Sequence, residues 1–347
     1  MISENVFHYN QQFDLETGGH LPAFQLHYCT AGNLNADRSN VIWICHALTG
    51  NANFTDWWPG MVGPGLAFDT EKYFVICANA LGGCYGSTGP LSINPVTGKP
   101  YHHDFPEITN RDIVRAFDLL RIDLGINQIE IGTGGSLGGQ HILEWGVQNP
   151  KLFKNLIVIA SNAYHSAWGV AFNESQRMAI ENDPTWREST DAAGIQGMKT
   201  ARSIALLSYR NYGIYEEKQS DYKESKTDSY KASSYQRYQG EKLAQRFNAY
   251  SYWLLSKAMD SHNVGRDREG IEKALSGIKA RCLFIGVKSD ILFPVEEQIY
   301  LAANVRSSAL DIIPSHYGHD GFLIEVDKLT QSIRSFHRDE VETYQLN

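Results

Sequence analysis

The chain has 347 residues, of which 42% are hydrophobic and 20% are charged, the balance of a globular protein with a sizeable core. Its formal net charge of −8 provides no general attraction for nucleic acid or for an anionic membrane. The start of the sequence lacks the features of a signal peptide, and no run is long and apolar enough to cross a membrane, so we expect a cytoplasmic protein.

The five cysteines are widely spread, and none forms a C-x-x-C pair. This spacing argues against a zinc site or a redox motif. Cys45, Cys77 and Cys282 lie in apolar runs and are predicted to be buried thiols. We therefore expect no bound metal and no permanently bound cofactor.

Short apolar segments that end in polar or glycine-rich residues recur along the chain. They lie at residues 41–50, 73–83, 129–136, 155–163, 281–290 and 310–320. Helical patterns separate several of them, as in residues 111–126, where Ile113, Phe117 and Leu120 recur at helical spacing. Buried strands that alternate with helices predict a mainly parallel sheet, whereas residues 24–32 resemble an antiparallel strand.

The alternation of strands and helices stops in the middle of the chain. The clearest helical patterns there lie at residues 198–213 and 238–262, and no segment of residues 165–275 predicts a strand. Strands and helices alternate again near the end. The simplest account is an α/β core of residues 1–164 and 276–347, interrupted by an inserted helical lid at residues 165–275.

Residues 130–145, EIGTGGSLGGQHILEW, contain the candidate nucleophile, Ser136. This serine lies in a G-x-S-x-G pattern that has a strand before it and a helix after it, as the pattern requires. The sharp turn predicts a strained backbone at Ser136 and small neighbours that avoid clashes. A plain tight turn and a phosphate-binding turn are the alternatives. The dinucleotide pattern fails at Leu137, and Gln140 stands where the P-loop pattern needs lysine.

A serine nucleophile needs a base, and the base needs an orienting carboxylate. In the fold where this pattern occurs, the acid and then the histidine follow the serine, each on a loop after a later strand. Asp290 and His319 satisfy that order. The alternatives are that Asp290 caps a turn or a helix, and that His316 takes the place of His319. We prefer His319 because Gly318 precedes it and a helical pattern follows.

The loop HALTG, residues 46–50, follows the apolar run of residues 41–45 and is a candidate for one side of an oxyanion hole. We expect the ring of His46 to brace this loop. The backbone N–H groups of Leu48 and Leu137 would then bind the oxyanion, and the helix that starts after Ser136 would favour negative charge there.

Several segments together resemble the homoserine O-acetyltransferase family. They are HALTG, GGSLGG, LEW, SDILFP, GHDGFLIE and the run WWPGMVGPGLAFDTEKYFVICANALGGCYGSTGP, within residues 40–330. The resemblance implies an α/β-hydrolase fold with a helical lid and a Ser-His-Asp triad. It also implies a ping-pong reaction of methionine biosynthesis, in which the co-substrate acetyl-CoA acylates the serine and L-homoserine takes the acetyl group. Its partners would be these small molecules, with no nucleic acid and no membrane, and its lid helices would form a homodimer.

The resemblance also suggests how the amino-acid acceptor is held. Arg202 and Tyr209 are seven residues apart in a predicted helix, which is two turns, so both side chains share one face. A guanidinium can bind a carboxylate through two hydrogen bonds. By resemblance, Arg202 and Tyr209 contact the homoserine carboxylate, and Asp320 pairs with the ammonium. The alternatives are a surface or salt-bridged arginine and an aspartate that caps the last helix.

Three functions compete at this point. The first is a homoserine O-acetyltransferase, with a succinyl donor or a serine acceptor as variants of the same chemistry. The second is an ordinary serine esterase or other hydrolase, which differs in needing no acceptor besides water. The third is a non-catalytic binding protein of the same fold. The presence of Ser136, Asp290 and His319 together argues against the third, because a binding protein has no need of all three.

Overall fold

A computed structural model describes residues 2–223 and 225–338 of the chain. The strands, in chain order, are β1 (Ile2–Tyr9), β2 (Phe13–Asp14), β3 (His20–Leu21), β4 (Phe24–Ala31), β5 (Val41–Cys45), β6 (Val62–Gly63), β7 (Phe68–Asp69), β8 (Phe74–Ala78), β9 (Ile129–Gly135), β10 (Phe153–Ile159), β11 (Arg281–Val287) and β12 (Ser308–Ile313). The helices are α1 (Phe54–Trp57), α2 (Asn110–Asp123), α3 (Leu137–Gln148), α4 (Ala167–Glu181), α5 (Ile195–Tyr209), α6 (Tyr212–Gln219), α7 (Lys231–Ala244), α8 (Ala249–Asp260), α9 (Ile271–Gly277), α10 (Val295–Asn304), α11 (Gly321–Ile324) and α12 (Val326–His337).

The central sheet has the strand order β1-β4-β8-β5-β9-β10-β11-β12. β1 and β4 pair antiparallel, as do β4 and β8, and every later pair is parallel. Each of the six segments predicted as a strand overlaps one strand of this sheet, with β10 and β12 beginning two residues earlier than predicted, and the antiparallel pairing of residues 24–32 is found in β4. The prediction of a mainly parallel sheet is therefore confirmed.

Both faces of the sheet are covered, as a parallel sheet requires. In β5 the alternation of side chains sends Trp43 into one buried cluster and Ile42 and Ile44 into the other. Helices α2 and α3 cover the first face, where Phe117 and Trp145 pack on Trp43, and α12 covers the second. Because the faces are filled with apolar side chains, polar chemistry is left to the loops at the strand ends.

Helices α4 to α9 lie between β10 and β11, and the described part of residues 165–275 contains no strand, as predicted. The helical pattern over 238–262 is divided, however, because α7 ends at Ala244 and α8 begins at Ala249. Asn248 causes the new start: its side chain accepts the backbone N–H of Ser251 at 2.8 Å and caps α8. The segment 245–248 is thereby free to contact the core.

Cys45, Cys77 and Cys282 are fully buried free thiols, as predicted. In residues 2–223 and 225–338, no helix is long and apolar enough to cross a membrane. The same residues contain no group of three or more His, Cys, Asp or Glu side chains that could hold a metal ion.

Candidate active site

The carboxyl ends of three parallel strands bring the predicted catalytic positions to one edge of the sheet. β9 pairs with β10, β10 with β11, and β11 with β12, all in parallel register. Ser136 directly follows β9, while Asp290 and His319 lie on the loops after β11 and β12. Because parallel strands end at the same edge, these three loops meet there.

Ser136 occupies the sharp turn between β9 and α3. Its φ of 57° and ψ of −126° lie outside the regions that residues with side chains favour, at a cost of about 1–3 kcal/mol. The turn is so tight that a Cβ on Gly134 would lie 2.4 Å from the carbonyl group of Gly138. The Ser136 N–H donates to the carbonyl of Ile159 at 3.0 Å and holds the turn to the sheet. The strained backbone and the need for glycine at these positions are confirmed.

His319 and Asp290 form a buried hydrogen-bonded pair. The Nδ1 atom of His319 lies 2.6 Å from the Oδ2 atom of Asp290, and the two residues are 3% and 5% exposed. The other carboxylate oxygen, Oδ1, accepts the backbone N–H groups of Leu292 and Phe293 at 2.8 and 2.9 Å. Asp290 therefore also organises a turn, as the alternative proposed, but this turn fixes the direction in which Oδ2 points. His316, the rival of His319, is exposed to solvent.

The second ring nitrogen of His319, Nε2, is buried and has no hydrogen-bond partner among the described residues. The ring packs against Phe293 and Phe322, with centroids 5.1 Å apart in both cases. Phe322 also contacts the turn that holds Ser136, because a Cβ on Gly135 would lie 2.4 Å from the Phe322 ring. Ser136 and His319 make no direct hydrogen bond in the described residues, as is common before substrate binds.

Leu48 lies in a turn that is closed by a hydrogen bond from the N–H of Gly50 to the carbonyl of Ala47, 2.8 Å long. His46 holds this turn from inside the protein. Its Nδ1 lies 2.8 Å from the same Ala47 carbonyl, and its Nε2 accepts the N–H of Ala80 at 3.0 Å. Both contacts suit the neutral ring, and burial lowers the pKa of His46. The predicted bracing of the loop by His46 is confirmed.

The Leu48 turn and the start of α3 are direct neighbours. A Cβ on Gly138 would lie 2.0 Å from the carbonyl oxygen of Cys45 and 3.0 Å from that of His46. Leu137 is the first residue of α3, so its N–H has no acceptor within the helix. The N–H of Leu48 makes no backbone hydrogen bond in the described residues. Two unused amide donors thus lie on adjoining segments beside Ser136.

Arg202 and Tyr209 share one face of α5, as their spacing predicts. The guanidinium carbon of Arg202 lies 5.3 Å from the centre of the Tyr209 ring, and that ring lies 5.8 Å from the His319 ring. Desolvation raises the pKa of Tyr209, and the charge of Arg202 opposes this rise. Within the described chain, Arg202 makes no ion pair or hydrogen bond, so the salt-bridged alternative is not found there. In residues 2–223 and 225–338, Arg202 is thus a half-buried cation without an ion-pair partner, close to His319.

Asp320 accepts a hydrogen bond from Nε of Arg210 to its Oδ2 at 2.7 Å. It does not cap the following helix, since its side chain makes no capping hydrogen bond to α11. The backbone of Gly318 also lies close to the end of α5. Gly318 has a φ of +64°, and a Cβ there would lie 2.9 Å from the carbonyl oxygen of Tyr209. The end of α5 is therefore packed tightly on the segment that carries His319.

Three residues of this site were not predicted from the sequence. Phe293 and Phe322 hold the imidazole in place by packing, and Arg210 holds Asp320. The two phenylalanines lie in SDILFP and GHDGFLIE beside the predicted residues, so their position in the chain was a usable signal. Arg210 carries no such signal, because its partner is 110 residues away.

Comparison with known proteins agrees with this geometry. A family model described as alpha/beta hydrolase fold matches residues 40–326, so the chain has the α/β-hydrolase fold. The curated homoserine O-acetyltransferase of Cyclobacterium marinum is 52% identical over 336 residues, 97% of this chain and 95% of the relative. The crystal structure of homoserine O-acetyltransferase from Bacillus anthracis matches with a TM-score of 0.90 and 25% identity, over 99% of this chain and 100% of that one. The chain belongs to the homoserine O-acetyltransferase family, whose members are acyltransferases.

The same fold also occurs in hydrolases. The structure of esterase E22 matches with a TM-score of 0.89 and 24% identity, and covers 97% of this chain and 100% of that one. At this identity the likeness shows the fold alone. The match to the esterase therefore carries no argument about the reaction at Ser136.

Proposed function

We propose that this protein transfers an acetyl group from acetyl-CoA to the hydroxyl of L-homoserine through an acyl-enzyme on Ser136. The observation that carries the proposal is the buried pair of His319 and Asp290 beside the strained serine turn. In the described residues this pair leaves Nε2 of His319 without a hydrogen-bond partner. The family membership supplies the substrates. The proposal needs no metal and no permanently bound cofactor, with acetyl-CoA as a co-substrate.

In the first half-reaction, Nε2 of His319 takes the proton of Ser136 as Oγ attacks the thioester carbonyl. Asp290 accepts the Nδ1–H bond and stabilises the imidazolium. The N–H groups of Leu48 and Leu137 donate to the tetrahedral oxyanion, each worth on the order of 3 kcal/mol. When the intermediate collapses, the carbon–sulfur bond breaks, the CoA sulfur takes the proton from His319, and the acetyl group stays on Ser136.

In the second half-reaction, His319 takes the proton of the homoserine hydroxyl, and the hydroxyl oxygen attacks the acetyl-serine ester. The same two amides hold the oxyanion. Collapse breaks the bond to Ser136, whose Oγ recovers the proton, and O-acetyl-L-homoserine leaves. One base thus serves both steps, which gives a ping-pong sequence.

The acceptor site that we propose uses the charges next to His319. The carboxylate of homoserine would accept charge-assisted hydrogen bonds from the guanidinium of Arg202 and a hydrogen bond from the Tyr209 hydroxyl. The ammonium of homoserine would form an ion pair with Asp320, whose Oδ2 already accepts a hydrogen bond from Arg210. This arrangement directs the side-chain hydroxyl of the amino acid toward Ser136 and raises its effective concentration there.

Exclusion of water supports transfer over hydrolysis. Ser136 and His319 are 6% and 3% exposed, and the end of α5 covers the His319 segment through Tyr209 and Arg210. A site this closed leaves little room for bulk water beside the acyl-serine. We propose that the helices between β10 and β11 act as the predicted lid over a core of residues 1–164 and 276–347.

Release of the CoA thiol, measured with and without L-homoserine, tests the proposal. We expect release to depend on homoserine, with one acetyl group on Ser136 when the acceptor is omitted, detected by intact mass spectrometry. Ser136→Ala should abolish both signals. Equal thiol release with and without the acceptor would instead assign a hydrolase, and an unmodified serine with no release would assign a binding protein.

A panel of acetyl-CoA and succinyl-CoA against homoserine and serine resolves the donor and the acceptor. We expect the acetyl donor with homoserine to give the highest kcat/KM. The homodimer and the cytoplasmic location stay predictions, and sedimentation velocity of the purified protein tests the first of them.

A further inference from the structure

Arg246 joins the helical segment to the loop that carries Leu48. It lies in the connection between α7 and α8, the stretch that the sequence pattern predicts as helix. Its Nη1 donates to the carbonyl of Thr49 and to the hydroxyl of Tyr85, both at 2.6 Å. The two acceptors belong to separate loops, which follow β5 and β8. One side chain of the helical segment therefore fastens two strand-end loops of the core.

The bond to Thr49 acts on the peptide group that closes the Leu48 turn. The peptide between Thr49 and Gly50 accepts from Arg246 through its oxygen, and donates to Ala47 through its N–H at 2.8 Å. Ala47 is also the contact of His46 Nδ1. The turn is thus held from the inside by His46 and from the outside by Arg246.

Tyr85 gives Arg246 a fixed support. The Tyr85 carbonyl accepts from Nδ2 of Asn79 at 2.5 Å, and Oδ1 of Asn79 accepts the N–H of Ala52 at 2.6 Å. Phe247, next to Arg246 in the chain, is buried and packs edge-on against the Tyr85 ring at 5.8 Å. The guanidinium is consequently held by neighbours that are themselves hydrogen-bonded or buried, although Arg246 itself is exposed.

We propose that Arg246 is a positioning residue for the oxyanion hole: by fixing the Thr49–Gly50 peptide it aims the Leu48 N–H at the developing oxyanion. This inference rests on the proposed function only in requiring an acyl-enzyme. Both half-reactions pass through a tetrahedral oxyanion at the same place. Loss of Arg246 should therefore slow acylation and deacylation alike and leave substrate binding unchanged.

The test uses three variants of the full chain and two acyl donors. Arg246→Met keeps the apolar stem and removes the donors, Arg246→Lys keeps the charge, and Arg237→Met is the matched control, an exposed arginine of α7. Rates of acylation by acetyl-CoA and by p-nitrophenyl acetate are compared, with thermal unfolding as a check on the fold. We expect Arg246→Met to slow acylation by both donors about 10-fold, with unchanged KM, and Arg237→Met to match the wild type.

The second donor separates this proposal from the alternatives. If Arg246 binds the phosphates of CoA, Arg246→Met raises KM for acetyl-CoA and leaves the p-nitrophenyl ester reaction unchanged, which overturns the inference. Full activity of Arg246→Lys assigns the effect to charge alone and overturns it too; partial recovery supports it. If the wild type acetylates Ser136 but does not use homoserine, the proposed function fails, while the comparison of acylation rates still decides the role of Arg246.

Discussion

Two carboxylates flank the candidate base, and they are held in different ways. Asp290, in the loop after β11, has both oxygens committed: Oδ1 to two backbone amides and Oδ2 to His319. Asp320, which faces the helical segment, has Oδ2 bound to Arg210, and Oδ1 makes no hydrogen bond in the described residues. Asp290 is thus fully fixed by the core, whereas Asp320, on the strand-end loop that meets the helical segment, is held by Arg210 of that segment and keeps unused hydrogen-bonding capacity.

The same contrast holds for the cations and the amide donors. His46 and the closed turn fix the Leu48 loop in the core, while Arg202 on α5 has no ion-pair partner among the described residues. Fixed groups suit the bond-making steps, because their orientation costs nothing when charge develops. Unfilled groups suit recognition, because a ligand can complete them. Mutations on the two sides should therefore have separable effects, on acylation for the core and on the acceptor for the helices.

The largest effect is expected at Asp290. Asp290→Asn removes the acceptor that keeps the Nδ1 proton of His319 in place, and the amide can stabilise the wrong tautomer. We expect kcat to fall about 10⁴-fold in both half-reactions. Stopped-flow acylation by p-nitrophenyl acetate measures it. Asp191→Asn, at an exposed aspartate that pairs with His102, is the control. A fall in kcat of less than 10-fold for Asp290→Asn would show that Asp290 is not part of the catalytic triad.

Arg202 should show the helical side of the contrast. Arg202→Met removes the proposed carboxylate partner, and we expect kcat/KM for homoserine to fall about 100-fold, mainly through KM. Arg202→Lys keeps the charge but not the two-pronged contact, so it should recover only part of the loss. Acylation by acetyl-CoA should not change. A rise in KM for acetyl-CoA instead would place Arg202 on the donor side.

The sequence predicts the fixed side of this comparison better than the unfilled side. Short apolar strands and the glycines around Ser136 are local patterns, and the order of Asp290 and His319 follows from the order of strands. The partners of Arg210 and Arg246 lie 110 and 197 residues away, and no local pattern encodes such pairings. The break at Asn248 was readable as a cap, but apolar residues continue at helical spacing on both sides and hide it.

Arg210 tests whether a charge on the helical side acts on recognition alone. Arg210→Met leaves Asp320 without its partner, so the carboxylate is free to turn away from the acceptor site. We expect KM for homoserine to rise about 10-fold, with acylation by p-nitrophenyl acetate unchanged. Arg210→Lys should recover part of this loss. If acylation slows as well, the contact between α5 and the His319 segment positions the base, and the separation of the two sides breaks down at this point.

The smallest effect concerns the seam between the core and the helical segment, and it is read as stability against pH. His165 is buried there, with its ring nitrogens 3.2 Å from Nε2 of Gln140 on α3 and 3.1 Å from Nδ2 of Asn173 on α4. Burial, together with the nearby charge of Arg177, lowers the pKa of His165 from 6.5 to about 4. The unfolded chain therefore binds the proton more readily than the folded chain. The contribution of neutral His165 to the free energy of unfolding is complete above pH 6.5 and is lost as the pH falls toward 4.

Between pH 7 and pH 5.5, titration of this residue should remove about 1 kcal/mol from the free energy of unfolding. The measurement is urea unfolding of the wild type and of His165→Gln at both pH values. The variant should be less stable at pH 7 but lose about 1 kcal/mol less than the wild type on acidification. His316→Gln, at an exposed histidine, should keep the slope of the wild type. Parallel slopes for the wild type and His165→Gln would mean that the seam tolerates a charged imidazole, and that the helical segment is held to the core by other contacts.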